Sequence, residues 1–324
     1  MRRRDFVTAV MGGAAVLPLP VHAQEPGRTY RVGGLSPSAR DSPHYVAFFE
    51  EVQRLGFVEG QNLEVHGRGY GASIDQFAEI AAELAKAKVD AMFCVGDVAI
   101  RAAQRATATI PILGVTDDMV GSGLVRSLAN SGGNTTGMSI LATELDGKRQ
   151  EILIEAVPGI RRMAALADLN VTTPRQLQVL QEAALARGVE LSVNRITRPG
   201  EIASAIDAAK SSGAAALNVL ASPLLFAHRR VITERAAALL LPAVYQWPEI
   251  AEEGGLVAYG PRLFRIFRER LARQFVKLLR GAKPADMPVE QPTNFELVIN
   301  SKTAQALGHV VPAQLVLRAD KVIE

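Results

Sequence analysis

The sequence predicts an α/β protein of two lobes, each built on a parallel sheet, joined by a multi-strand hinge. Three observations predict it. Short apolar runs alternate with helical patterns of ten or more residues from Tyr30 to about Leu279, the order expected of parallel strands covered by helices. The chain has 324 residues and is 48% apolar, enough for two cores, because single cores stop growing near about 250–300 residues. A polar, glycine-rich break at Asn130 to Asn134 divides the alternation into two similar series.

The elements follow in order. Arg31 to Leu35 reads as a short strand. Ser42 and Pro43 then supply an N-cap and a first-turn proline for a helix whose apolar face is Phe48, Phe49, Val52 and Leu55, ended by Gly56. The second unit runs from Leu63 to Lys88, with Ser73 and Gln76 as a capping box and Phe77, Ile80, Ala81 and Leu84 on the buried side. Val89 to Val95 and Ile110 to Val115 are the next strands, and a second series begins near Gly137. Its strands are expected at Met163 to Ala167, Glu190 to Val193, Ala214 to Leu220, Pro242 to Tyr245 and Leu256 to Tyr259. The helices between them start at Thr173-Pro174, Pro199-Gly200 and Ser222-Pro223. A helix from about Leu263 to Leu279, a stretch spaced by Pro284, Pro288 and Pro292, and a last strand at Phe295 to Ile299 read as crossings between the lobes. The expected division is 29–139 plus about 261–284 for the first lobe, and 140–260 plus about 285–324 for the second.

The amino terminus reads as an address. Arg2, Arg3 and Arg4 form a positive region, Ala9 to Leu19 is weakly apolar, and Val21-His22-Ala23 has the small residues of a cleavage site. Residues 1–23 are therefore expected to be a signal peptide cut after Ala23, with Arg3-Arg4-Asp5-Phe6 suggesting the twin-arginine route. The competing reading is an anchoring helix, but Gly12, Gly13, Pro18 and Pro20 interrupt a run already shorter than the roughly 20 residues of a span. No cysteine stands at the cleavage site to carry a lipid, so a protein diffusing freely in the periplasm is expected.

Removing that segment takes three Arg and one Asp from totals of 36 basic and 33 acidic residues, leaving a net charge of +1. The pI of 9.1 is thus no sign of nucleic-acid binding, and no basic stripe is interleaved with aromatics. The single cysteine, Cys94, lies inside an apolar run and reads as a packed thiol.

In open parallel sheets, ligands bind beyond the carboxyl ends of the strands. That rule selects Ser36, Asp97, Thr116, Asp117 and Asp118 in the first half. In the second it selects Asp168, Asn170, Ser222, Tyr245, Trp247 and Tyr259. Carboxylates on one wall and aromatic rings on the other would suit a ligand with an ammonium group and an apolar or aromatic body. The competing reading is that Asp97, Asp117 and Ser222 merely cap the helices that follow them.

Longer stretches carry a family resemblance. Arg3-Arg4-Asp5-Phe6, the run Leu55 to Leu63 (LGFVEGQNL), Asp118 to Val125 (DMVGSGLV) and Gly132 to Gly137 (GGNTTG) resemble the ABC-transporter substrate-binding family that includes tryptophan-type binding proteins. Leu241 to Tyr245, Gly254 to Leu256, Tyr259 to Pro261 and Gln291 to Asn300 are similar to that family's later landmarks. The resemblance implies the type I periplasmic binding protein fold, with two Rossmann-like lobes and three crossovers. It also implies delivery of a small organic solute, an amino acid or an aromatic or related metabolite, to an ABC permease in the inner membrane. Two departures stand out: Met119 where proline is common, and Asp97 after Gly96 where a small hydroxyl residue or proline is usual.

Enzymatic constellations are wanting. His44, His66, His228 and His309 lack metal-site spacing, Gly121-Ser122-Gly123 lacks the frame of a nucleophile elbow, and no Walker sequence is present. Gly67, Gly69 and Ala72 satisfy a loose dinucleotide pattern, but in the second βα unit and with Asp90 opening the next strand rather than ending it. An NAD(P)-dependent oxidoreductase is accordingly the minor alternative. A periplasmic ligand-sensing module is the other, since its cleft would be identical. The expectation is a monomer without cofactor or metal that closes on a solute and performs no chemical step.

Overall fold

The computed structural model describes residues 27–324, so the expected signal peptide, 1–23, lies outside the described residues. The first series comprises β1 (Tyr30–Leu35), α1 (Pro43–Arg54), β2 (Leu63–His66), α2 (Phe77–Lys86), β3 (Ala91–Val95), α3 (Asp97–Ala106), β4 (Ile112–Thr116) and β5 (Thr135–Ser139). Its five strands form a parallel sheet in the order β2-β1-β3-β4-β5.

The second series opens with α4 (Asp146–Ala156), β6 (Arg162–Asp168), α5 (Pro174–Ala186), β7 (Glu190–Ile196) and α6 (Ile202–Ser211). It continues through β8 (Leu217–Val219), α7 (Pro223–Ala227), α8 (Arg229–Ala238), β9 (Ala243–Tyr245), α9 (Pro248–Glu252) and β10 (Val257–Gly260). After α10 (Leu263–Arg265), a π-helical turn (Ile266–Leu271) and α11 (Ala272–Leu279), the chain ends in β11 (Glu296–Asn300), α12 (Ser301–Ala306), α13 (Ala313–Val316) and β12 (Lys321–Ile323). The second sheet has the order β12-β11-β10-β9-β8-β6-β7. From β7 to β10 it repeats the winding of the first sheet, and β11 then joins antiparallel to β10.

Gly137 does not open the second series. It sits in β5 opposite Gly114 of β4, completing the first sheet. The reason is steric: Gly137 has φ +144°, and a Cβ there would stand 1.8 Å from the Gly114 carbonyl oxygen, so this pair of strands closes only on glycine. The first helix also departs in detail. Ser42 occupies the N-cap with extended backbone, but its side chain makes no capping bond.

The first sheet is covered on both faces. Phe77, Ile80 and Leu84 of α2 and Ile100 of α3 pack in one core with Leu35, Met92 and Cys94 of the sheet. On the other face Phe93 stacks on Phe48 of α1 at 4.8 Å and meets Phe275 of α11 at 6.3 Å. The run from α10 to α11 therefore follows β10 of the second sheet in sequence but packs on the first. The chain passes between the sheets after β5, after β10 and again before β11, where Glu290 bridges to Met138 of β5. These three adjacent passages leave a crevice at the carboxyl ends of both sets of parallel strands. Among the described residues, no helix is long and apolar enough to cross a membrane.

Candidate functional site

The crevice is a cavity of about 730 Å³ walled by both series. Eight of the eleven strand-end residues line it: Ser36, Asp97, Thr116, Asp117, Asp118, Asn170, Ser222 and Trp247. They lie together because β1, β3 and β4 all end facing the opposite lobe.

Several of these polar groups are held by hydrogen bonds, some within one turn and others between separate strand ends. Asp97, the first residue of α3, accepts from Thr116 Oγ1 across the sheet end. Asp117 accepts from the backbone N–H of Thr143 at 2.7 Å and from its hydroxyl. Burial nevertheless raises the Asp117 carboxyl above its ordinary range, against the pull of those bonds. Asp118 closes a turn by accepting from Val120 N at 3.0 Å and Gly121 N at 2.8 Å. Ser222 caps α7, accepting from Leu224 N and Leu225 N at 3.0 and 3.2 Å, and its hydroxyl donates to Asp168 at 2.6 Å. The capping reading thus holds for Ser222, which also faces the cavity. It does not hold for Asp97 or Asp117, whose bonds run to threonines elsewhere.

Three residues lie outside the cavity lining. Asp168 is buried behind it, accepting from Ser222 and from both the backbone and side-chain nitrogens of Asn170 at 2.9 and 2.8 Å. Its carboxylate is occupied in orienting two lining residues. Tyr245 turns into the core of the second lobe, where its ring is so close to Gly255 that a Cβ there would stand 2.7 Å away. Tyr259 packs beside Phe295 with ring centroids 6.4 Å apart, and its carbonyl accepts from Arg149. For both tyrosines, the end of the strand is at the cleft but the side chain points elsewhere.

The structure adds lining residues that the strand-end rule passed over. His44, Phe226, Phe267 and Trp247 form an aromatic end: His44 meets Phe226 at 5.3 Å and Phe267 at 4.8 Å, and Phe226 meets Trp247 at 6.1 Å. His44 and Phe226 had a signal, since each follows a serine-proline helix start and so lies within a turn of a cap. Phe267, in the π-helical turn, had none. Arg175, in the first turn of α5 beside the Thr173 capping box, brings a cation to the lining. The arrangement can therefore meet an anionic group, a cationic group and a flat apolar body in one cleft.

Two wound lobes joined by three passages, with a polar and aromatic cavity between them, define a solute-binding protein of the two-lobed type. Residues 41–323 match the model for "ABC transporter substrate binding protein", and the chain belongs to that family. A curated relative, the "Tyrosine-binding protein" of Clostridioides difficile (strain R20291), is 25% identical over 270 residues, covering 80% of this chain and 75% of the relative. Among solved structures, a Streptococcus pneumonia ABC domain in complex with L-Trp is similar with TM-score 0.76 and 22% identity, covering 91% of this chain and 100% of that one. A conserved domain protein from Vibrio cholerae o1 biovar eltor str. n16961 gives 0.78 and 21%, with 91% and 99% covered. These structural likenesses concern the fold.

Proposed function

We propose that this protein is the periplasmic receptor of an ABC importer for an amino acid, with an aromatic amino acid or related aromatic metabolite as its solute. The observation that carries the reading is the composition of the cavity wall, in which His44, Phe226, Trp247 and Phe267 form an apolar end while Asp97, Asp118 and Arg175 supply charge of both signs. A zwitterion with a flat side chain satisfies both. The tyrosine and L-tryptophan in the names of two relatives support the same class.

The mechanism is binding with no chemical step. Lining residues come from both lobes, so a solute touching both stabilises the closed arrangement over the open one by its difference in affinity for the two. The closed form is then the one a membrane permease recognises. We assign 29–139 with about 261–284 to one lobe and 140–260 with about 285–324 to the other. We further assign residues 1–23 to export by the twin-arginine route, with the mature protein a monomer.

A thermal-shift screen of the protein against amino acids, aromatic acids, sugars, polyamines and nicotinamide dinucleotides tests this. A solute at about 100 times its dissociation constant adds about 2.7 kcal/mol of stability. A saturable rise with aromatic amino acids is expected, and a rise with sugars or dinucleotides alone would overturn the proposal.

A further inference from the structure

The aromatic end of the cavity contains a polar side chain that the fold leaves without a partner. His44, second residue of α1, is 2% exposed and lines the cavity, yet its Nδ1 makes no hydrogen bond among the described residues. Its ring is walled by Tyr45, Phe226 and Phe267, with centroids 4.5, 5.3 and 4.8 Å away. Buried hydrogen-bonding groups in native proteins nearly always have partners, and each one left alone costs stability. Phenylalanine or leucine would fill an aromatic wall without that cost, so packing gives no reason for an imidazole here.

Its charge state is well defined. Burial, helped by the positive field of Arg229, lowers the His44 pKa to about 3. The ring is therefore neutral at ordinary pH and offers one donor nitrogen and one acceptor nitrogen. Arg229 is itself engaged by Glu253 at 2.6 and 3.1 Å, so at this wall the imidazole Nδ1 and the Tyr45 hydroxyl are left without a partner, and of the two residues His44 is the one that lines the cavity. Elsewhere in the lining, Gln246 is buried with its Oε1 also unpartnered.

We propose that His44 is a specificity-determining residue that hydrogen-bonds a hydroxyl or N–H group carried on the ring of the solute. The preferred ligand is then an aromatic amino acid of the phenol or indole type rather than the plain phenyl type. This rests on the amino-acid reading above and narrows it. A site built to bond a ring hydroxyl or N–H discriminates strongly against an analogue lacking it, because the protein's own polar atom is left unpaired.

Calorimetric titration of the protein with tyrosine, tryptophan and phenylalanine tests the proposal. At least one of the first two should bind about tenfold or more tightly than phenylalanine, and His44→Phe should bring that ratio to within about threefold by weakening the binding of tyrosine or tryptophan. The ratio in the unmutated protein stands as a test even if the variant folds poorly. Equal binding of phenylalanine, or a ratio that survives His44→Phe, overturns the role of His44 alone. No binding of any of the three overturns the aromatic-solute reading, and this inference with it.

Discussion

Arg149 and Asp146 form an ion pair of 2.7 Å with side chains only 0% and 6% exposed, beneath two of the passages between the lobes. The same guanidinium donates to the carbonyls of Ala142 and Tyr259, both at 2.7 Å, so one residue ties the segment after β5 to the end of β10. Burial raises the Asp146 carboxyl to about 7, opposed by its attraction to Arg149.

Arg149→Met should therefore cost about 3 kcal/mol at pH 8, where it strands a buried carboxylate, and clearly less at pH 5. The sign follows from linkage. A carboxyl raised in the folded state contributes stability that is present below its ordinary value and is lost as pH rises through the folded one. Without Arg149 the folded value climbs further, so the loss at high pH is larger. Urea unfolding of both proteins at the two pH values checks this, and an equal cost at both contradicts it.

Gly137→Ala should destabilise by about 3 kcal/mol or more, because it combines a positive φ with a Cβ placed against the Gly114 backbone. Gly133→Ala is the control. A Cβ there meets nothing within 4 Å, and its change in unfolding free energy should stay within about 0.5 kcal/mol.

Tyr245 and Trp247, two residues apart, should separate in their effects. Tyr245→Ala empties a packed site away from the cavity and is expected to cost about 3–5 kcal/mol of stability, with affinity for tyrosine or tryptophan changed less than about threefold. Trp247→Ala removes an aromatic wall of the cavity and should weaken that affinity about tenfold or more. Melting curves and titrations on both variants check the contrast, which equal losses of affinity would refute.

Cys94 should be inert to thiol reagents in the folded protein. It lies in β3 fully buried, and burial pushes its thiol far above the ordinary range, so little thiolate forms. Labelling by a disulfide reagent should appear only with urea unfolding and follow the same midpoint. Rapid labelling of native protein would show that β3 opens locally.

The sequence by itself determined the two wound sheets, because most of their strands are short apolar runs that alternate with helices along the chain. It also picked out eight residues of the cavity lining, since a parallel strand ends where its apolar run ends. Ser36, Thr116 and Ser222 were legible for that reason. Tertiary structure alone decided which way the side chains at those ends turn. Tyr245 is spent on packing against Gly255, Asp168 on orienting Ser222 and Asn170, and Tyr259 on Phe295. It also brought Phe267 from a distant part of the chain, and Phe226 from the opposite lobe, against the ring of His44. Local periodicity reports which residues are apolar. The lining of a cavity between two lobes depends on how the sheets meet, and the residues that meet there are separated by long stretches of chain.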